Sequence, residues 1–486
     1  MPATHGFLST MRSFLTLLSC ALTVATLLYM GQEPDPPARV AELISGLPSK
    51  DGSHCDVANI DTLRHAAIVY TWVNGTETCY NKRRQRAGLP AGGSSRDKEM
   101  GELKYSLRSL LKFAPWLEGP IYIVTPGQIP DWLDTTNPRV RVVDQDDLLP
   151  KGKTTLPTFD TNVIEQYLHK IPGLTDVFIH MNDDYLFIKP VTPDRFFTCD
   201  GGLRLLTEIN HIRHVPSQKS NAWLASVRNT VMLTDKTYGG EHVYNFLKHA
   251  PFVYSRLAFE EIHDKFGKEL DATLSHQMRH PDDLNMPLLH HIYMQEEGSK
   301  KLGIPVELNP LSECDDWLLV RIKDNIEVSL NKQFQMALEN KGNEILLALN
   351  DEYTSPRTAE LVGRFYSQLL PEPAFFELPE GQHVDVVSNW HGADCAYDPN
   401  VIPLPEAGFM SLRMAEEGAD WAPAPTLSRF RSPNERAFAE MTPSFGWNLA
   451  LNIGYGFGLV IAAIISVYTF RFSNKGTPGL HATKQT

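Results

Sequence analysis

The chain predicts an α/β fold: a largely parallel sheet with helices on both faces, an α-rich C-terminal continuation, and a membrane helix at each end. Three observations carry that prediction. Short β-branched and aromatic runs alternate with segments whose apolar residues recur at helical spacing, the pattern of βαβ units. One such run, Phe178-Ile179-His180-Met181, stops at Asn182-Asp183-Asp184, as a buried strand does when it delivers carboxylates to the rim of a sheet. Uncharged apolar segments, Phe14–Met30 and Leu449–Phe470, lie near the two ends.

Ala66–Val73 reads as a strand that stops at an Asn74-Gly75 turn. The basic and glycine-rich residues after it, through Ser95, read as a mobile loop, with Lys82, Arg83, Arg84 and Arg86 either a solvated face or a local basic site. From Glu102, Leu103, Leu107, Leu110 and Leu111 keep helical spacing until Pro115 ends the helix. Gly119–Thr125 and Val140–Val143 are further strands. Val163, Ile164, Tyr167, Leu168 and Ile171 line one face of a helix that leads into the strand bearing the Asp pair. Residues 210–350 look α-rich and packed on the same core. Closely spaced prolines then mark an irregular stem over 380–447.

A chain of 486 residues can bury a substantial core, and its net charge of −13 argues against nucleic acid as a main partner. Phe14–Met30 reads as a signal-anchor or a cleaved signal peptide, and Leu449–Phe470, followed by Arg471 and Lys475, as a transmembrane helix. Positive flanks on the cytosolic side put both termini in the cytosol, with 1–31 comprising the signal-anchor and its cytosolic tail and 472–486 the other tail, and the body across the membrane. Outside the first apolar segment, Cys55, Cys79, Cys199, Cys314 and Cys395 form an odd set without paired-cysteine zinc spacing. Cys55 with Cys79 is the preferred bridge, since it would staple the strand between them. Asn74-Gly75-Thr76 is a glycosylation sequon.

An Asp-Asp pair is most often a solvated loop or a helix cap. Here it belongs to four blocks in a fixed order. The first is Ile68 to Thr76. The second runs from Glu102-Leu103-Lys104-Tyr105-Ser106-Leu107-Arg108 through Ile121 to Thr125 and Leu156-Pro157-Thr158-Phe159 to Asn182-Asp183-Asp184. The third holds His249-Ala250-Pro251 and Arg279-His280-Pro281-Asp282-Asp283, and the fourth Asp324-Asn325, Leu349-Asn350-Asp351-Glu352 and Phe376-Glu377-Leu378-Pro379. These blocks closely resemble the four regions of the Stealth family, whose members are sugar-1-phosphate transferases: microbial capsule-building enzymes and the catalytic precursor of the animal GlcNAc-1-phosphotransferase. The resemblance spans 68–379 within a catalytic domain drawn at 55–379, and the terminal apolar segments look more like the animal form. Only about fifty residues separate Asp200 from His249, where the animal enzyme carries large modules that help choose protein acceptors.

The resemblance implies a Rossmann-like, GT-A-like domain that transfers a sugar-1-phosphate, GlcNAc-1-phosphate above all, from a UDP-sugar to a glycan hydroxyl and releases UMP. Phosphoryl transfer of this kind needs a cation on the diphosphate, an in-line acceptor and a base. Asp184 is the expected base, His249 a second acid/base or phosphate contact, and Arg279 the diphosphate's guanidinium. Asp183, Asn350 and Asp351 are the expected ligands of Mg²⁺ or Mn²⁺, whose hardness suits oxygen donors. Trp72, Asn74 and Gly75 are expected to line the nucleotide pocket. Lys104 and Arg108, four apart on one helix face, would reach phosphate together or form a solvated basic stripe.

The expected partners are a UDP-sugar donor, a glycan or glycoprotein acceptor, the membrane and, as a homodimer, a second copy of the chain. The expected location is the Golgi or another secretory-pathway membrane, with the catalytic domain lumenal. Two other readings stay open: a GT-A glycosyltransferase that releases UDP, and a non-catalytic membrane-tethered glycan-binding protein.

Overall fold

The computed structural model describes residues 62–93, 98–212, 221–311 and 316–404. The strands are β1 (Ala67–Thr71), β2 (Ile121–Thr125), β3 (Val140–Asp144), β4 (Val177–Asn182), β5 (Tyr185–Phe187), β6 (Leu203–His211), β7 (Asn245–Leu247), β8 (Phe252–Ser255), β9 (Val306–Leu311), β10 (Trp317–Lys323), β11 (Leu346–Glu352), β12 (Trp390–His391) and β13 (Ala396–Tyr397). Five of them form the central sheet in the order β3-β2-β1-β4-β8, parallel except for β8 at the edge. Both faces of such a sheet are covered, which is why β1 and β2 read as unbroken apolar runs: every residue of β2, and all of β1 but Thr71, is buried.

The strand order reverses between β1 and β4. Crevices at the carboxyl ends of strands on either side of such a reversal are where open α/β sheets bind ligands. The parallel register sets Thr71 beside Asn182, so that the next residues, Trp72 and Asp183, leave the sheet together. Directly after the Asp pair, β5 turns away to pair antiparallel with β11 in a second sheet, β10-β11-β5, with β10 and β11 parallel. The Asp183-Asp184 turn therefore sits where the two sheets part.

The Glu102–Phe113 helix forms as its spacing predicts, burying Leu103, Leu107 and Leu110. Ser109 Oγ on that helix accepts a hydrogen bond from Phe187 N at 3.0 Å, which ties it to β5. The Pro356–Leu369 helix starts with proline in its first turn, where the missing N–H costs nothing, and buries Leu361, Val362, Phe365 and Tyr366 over β10 and β11. Asp324 receives Thr354 N and Ser355 N, each at 2.9 Å, so this member of the fourth block caps the entry to that helix.

Several expectations need correction. The basic segment after β1 is a helix, Thr78–Arg86, rather than a mobile loop, and it buries Arg83 and Arg84. Arg83 donates to Pro126 O, pairs with Asp146 at 3.2 Å and lies 4.3 Å over the Trp390 ring, so charge and stacking compensate its burial. The helix expected over 163–171 is shorter, Thr161–Glu165 followed by a 3-10 turn Leu168–Lys170. The α-rich continuation also carries β10, β11 and a third sheet, β7-β6-β9.

Cys79 bonds to Cys395, not to Cys55, with Cα atoms 5.4 Å apart; Cys55 lies outside the described residues, and Cys199 is also disulfide-bonded. That bridge joins the first helix to residues assigned to the stem, of which 380–404 are packed structure. Asn389 donates to Asp144 Oδ2 at 2.7 Å and Ser388 to Gly127 O at 2.8 Å. Gly127 has φ +75, and a Cβ there would come within 2.9 Å of Asp144 Oδ2, so the strap passes where only glycine fits. The rest of the stem, from 405, lies outside the described residues.

The two apolar segments, Phe14–Met30 and Leu449–Phe470, also lie outside the described residues, and among those described no helix is long and apolar enough to cross a membrane. On that finding the expected Golgi or secretory-membrane location, with both termini in the cytosol, is withdrawn.

Candidate active site

A cavity of about 930 Å³ opens at the switch point between β1 and β4. Thr71, Trp72 and Val73 come to it from the end of β1, Asn182, Asp183 and Asp184 from the end of β4, and Val124 and Pro126 from β2. Lys248 and His249 enter from the segment between β7 and β8, Arg279 from the loop after the Arg256–Thr273 helix, and Arg321 and Asn350 from β10 and β11. Its volume suits a nucleotide sugar, being at the upper end of the roughly 300–1,000 Å³ usual for ligand pockets.

Asp184 and His249, 65 residues apart, meet in this cavity, with His249 Nε2 3.4 Å from Asp184 Oδ2. The imidazole stands edge-on to the buried Tyr185 ring, centroids 5.2 Å apart, which fixes its plane. Asp184 Oδ1 is buried and, among the described residues, accepts no hydrogen bond, which leaves an oxygen of this carboxylate for a ligand. Burial first, and then the negative charges of Asp184, Glu165 and Asp183, hold the Tyr185 hydroxyl well above its ordinary pKa. It therefore stays neutral beside the acidic groups.

Arg279 lines the cavity and donates from Nε to Thr161 Oγ1 at 3.0 Å, leaving its other guanidinium N–H groups unspent in that contact. Glu165, four residues along the same short helix, also lines the cavity, and burial pushes its carboxyl up to about 7 despite the lowering charge of Arg279. Trp72 is locked by donating Nε1–H to Glu99 Oε2 at 2.7 Å.

The sequence candidates divide. Trp72, Asp183, Asp184, His249, Arg279 and Asn350 converge on the cavity. Asn74 and Gly75 do not line it: Asn74 Oδ1 accepts from Thr76 N at 3.0 Å and from Thr76 Oγ1 at 2.6 Å, closing its own turn, and Gly75 O accepts from Asn81 Nδ2. Asp351 is in β11 with its backbone opposite Ile322, next to Asn350, which lines the cavity. Lys104 and Arg108 are spent on structure. Glu377 lies 3.2 Å from Lys104 Nζ and accepts from Arg108 Nε and Nη2 at 2.5 and 2.7 Å, while Arg108 Nη1 donates to Leu370 O at 2.8 Å. They act as neither a phosphate site nor a solvated stripe.

Glu165, Lys248 and Arg321 were not expected here. Glu165 occupies an ordinary polar position on an apolar-faced helix and carries no sequence signal. Lys248 immediately precedes the His-Ala-Pro block, which is the one cue that marks it. Arg321 reaches the cavity because the β10–β11 register sets it opposite Asn350.

Comparisons with known proteins bear on the same segments. The family model for Stealth protein CR2, conserved region 2, matches residues 96–205, and that for Stealth protein CR3, conserved region 3, matches residues 248–296. An exopolysaccharide phosphotransferase of Streptomyces coelicolor is 30% identical over 322 residues, 64% of this chain and 52% of the relative. A capsular polysaccharide phosphotransferase of Haemophilus influenzae is 33% identical over 246 residues, 48% of this chain and 66% of the relative. A capsular polysaccharide phosphotransferase of Neisseria meningitidis serogroup A is 28% identical over 345 residues, 69% and 59% of the two chains. The chain thus spans about half to two thirds of the length of these relatives. Among solved structures, a galactosyltransferase in complex with donor and acceptor sugar analogs superposes over 65% of this chain and 98% of its own at 11% identity, with a TM-score of 0.32. With conserved region 2 delivering the Asp pair and conserved region 3 delivering His249 and Arg279 to one cavity, the chain belongs to the Stealth family of sugar-phosphate transferases.

Proposed function

We propose that this protein transfers a sugar-1-phosphate from a nucleotide-sugar donor, with UDP-GlcNAc the first to test, to a hydroxyl of a glycan acceptor, releasing the nucleoside monophosphate. The observation that carries the reading is the meeting of Asp184 and His249 at 3.4 Å at the switch point, inside a cavity that also holds Arg279. The acceptor hydroxyl attacks the phosphorus bonded to the sugar oxygen. The bond from that phosphorus to the bridging oxygen breaks, and the monophosphate leaves with the electron pair. Asp184 takes the hydroxyl proton, and His249 Nε2 shares the charge that the carboxylate gains or loses. Arg279 offers a planar fork to the diphosphate oxygens, and Lys248 adds a second cation at the same wall.

The residues present suit a hard divalent cation. Asp183 and Asn350 bring oxygen donors to the cavity, and the buried Asp184 Oδ1 has no hydrogen-bond partner among the described residues. Asp183 and Asn350 are the proposed ligands of Mg²⁺ or Mn²⁺, with Asp351 adjacent in the strand. Such a cation, when bound, neutralises charge on the diphosphate. The position of Trp72 supports a place for it against the nucleotide.

The test is incubation of the protein with Mg²⁺, UDP-GlcNAc labelled on the β-phosphate and an oligosaccharide acceptor, followed by identification of the released nucleotide. UMP with label on the acceptor is the expected result. UDP with unlabelled product would replace the proposal with ordinary glycosyl transfer.

A further inference from the structure

A second group of ligating side chains lies behind Arg279, in the loop that runs from His276 to Asp283. Ligand atoms of His276, His280 and Asp283 all lie within 4.8 Å of one another. The two imidazoles stack with centroids 4.1 Å apart, and His276 Nδ1 is 2.6 Å from Asp283 Oδ1. Asp283 is fully buried. Its other oxygen, Oδ2, accepts from His280 N at 2.6 Å and Asn162 Nδ2 at 3.1 Å, which holds the carboxylate and leaves Oδ1 turned toward the histidines.

A further carboxyl, outside that cluster of three, comes from the N-cap of the Thr161–Glu165 helix. Asp160 is fully buried, its Oδ1 caps the Thr161–Glu165 helix by accepting from Asn162 N at 2.9 Å, and its carboxyl lies within hydrogen-bonding reach of Asp283. Among the described residues Asp160 Oδ2 has no donor. Two buried carboxyl groups in contact must share a proton or a cation, since both cannot stay ionised side by side without one. The charge of Arg279 favours the ionised form of Asp160, while its Nε donates to Thr161 Oγ1 at 3.0 Å. Phe159 N donates to Gln277 O at 2.8 Å and Gln277 Nε2 to Pro157 O at 3.0 Å, so the segments carrying the four groups are stitched together before any ion arrives.

We infer that His276, His280 and Asp283 form a binding site for a divalent transition-metal ion of the zinc type, with Asp160 supporting Asp283 from outside the cluster. Two imidazoles and a carboxylate are a donor set for Zn²⁺ or Co²⁺ rather than for Mg²⁺, which prefers oxygen and retains water. The histidines, four apart, have the spacing common in zinc sites, and the hydrogen bonds to Asp283 Oδ2 are the outer support that such sites carry. The ion takes the place of the proton between His276 and Asp283. It ties the 276–283 loop to the start of the Thr161–Glu165 helix and so fixes the backbone from which Arg279 reaches the cavity. The site is separate from the proposed Asp183 and Asn350 cation, and its existence does not depend on the reaction.

The test uses the full-length protein stripped with a chelator, dialysed and titrated with Co²⁺ in the presence of excess Mg²⁺. Uptake of one equivalent with visible d–d absorption, weakened roughly 10-fold or more in His280→Ala and in Asp160→Asn, is the expected result. His280 is exposed, so its replacement leaves folding intact, and unchanged thermal melting of the metal-free proteins controls for this. No uptake by the wild type, displacement by Mg²⁺, or uptake that both variants leave unchanged would overturn the assignment. Zn²⁺ competition for bound Co²⁺ is read in the same titration, and none of these readouts requires turnover.

Discussion

Replacing Arg108 with alanine separates a structural role from a substrate-binding one. The guanidinium makes a two-pronged contact with Glu377 at 2.5 and 2.7 Å and donates to Leu370 O at 2.8 Å, with side chains only 9% and 3% exposed. Burial pushes the Glu377 carboxyl up, but the hydrogen bonds from Arg108 and Ala374 N and the charges of Arg108 and Lys104 outweigh it and leave the pKa below its ordinary value. Removing one partner of a buried pair costs roughly 3–5 kcal/mol. Lys104 remains 3.2 Å from the orphaned carboxylate and the Ala374 N–H still donates, so the lower end, about 3 kcal/mol, is expected. Urea unfolding at neutral pH measures it. The wild-type advantage should be full above the unfolded glutamate pKa near ~4.3 and vanish as pH falls through the lowered folded value, because a depressed carboxylate stabilises only while ionised. The KM for the nucleotide sugar should not move. A stability loss under about 1 kcal/mol together with a rise in KM of roughly 10-fold would refute the assignment and return Arg108 to the phosphate.

Three further outcomes are expected. Asp184→Asn should lower kcat by roughly 10²–10⁴ with donor affinity largely kept, measured by isotope transfer and by equilibrium dialysis of donor. Glu165 has a folded pKa of about 7 against an unfolded ~4.3, so the native state holds the proton longer and stability should decline as pH rises through that window. The wild-type decline, taken as the difference from Glu165→Gln at each pH in chemical denaturation, should then level off above pH 7. Cys395→Ser opens a link between residues 316 apart in sequence and should cost about 2–5 kcal/mol, read as a lower Tm with early exchange of the 388–397 backbone amides.

How much of this could be read from the chain depended on the range of the interaction. The Glu102–Phe113 helix and the central strands were legible because burial of one helix stripe or of both strand faces is written in apolar periodicity. The Asp183-Asp184 turn was legible because a strand end marks itself. Lys104 and Arg108 were misjudged because their partner, Glu377, is 269 residues from Arg108, and a basic pair on a helix looks the same whether it faces phosphate or carboxylate. The bridge from Cys79 to Cys395 was hidden for the same reason. A nearby cysteine is the natural expectation until the strap from Ser388 to Tyr397 is seen to return to the first helix.

By itself, the sequence determined the central strands, the Glu102–Phe113 helix, the carboxylate-bearing strand end and the four blocks that mark the family, since these rest on local periodicity and on residue types at short spacing. Only the tertiary structure decided which members of those blocks share a cavity. It brought His249 to Asp184 and Asn350 to the same wall, and it took Asn74, Gly75, Lys104 and Arg108 away. The physical reason is that a side chain's task is set by the charge and the hydrogen-bond partner it meets across the fold. Those partners are chosen by strand order and register, which no single segment of the chain contains.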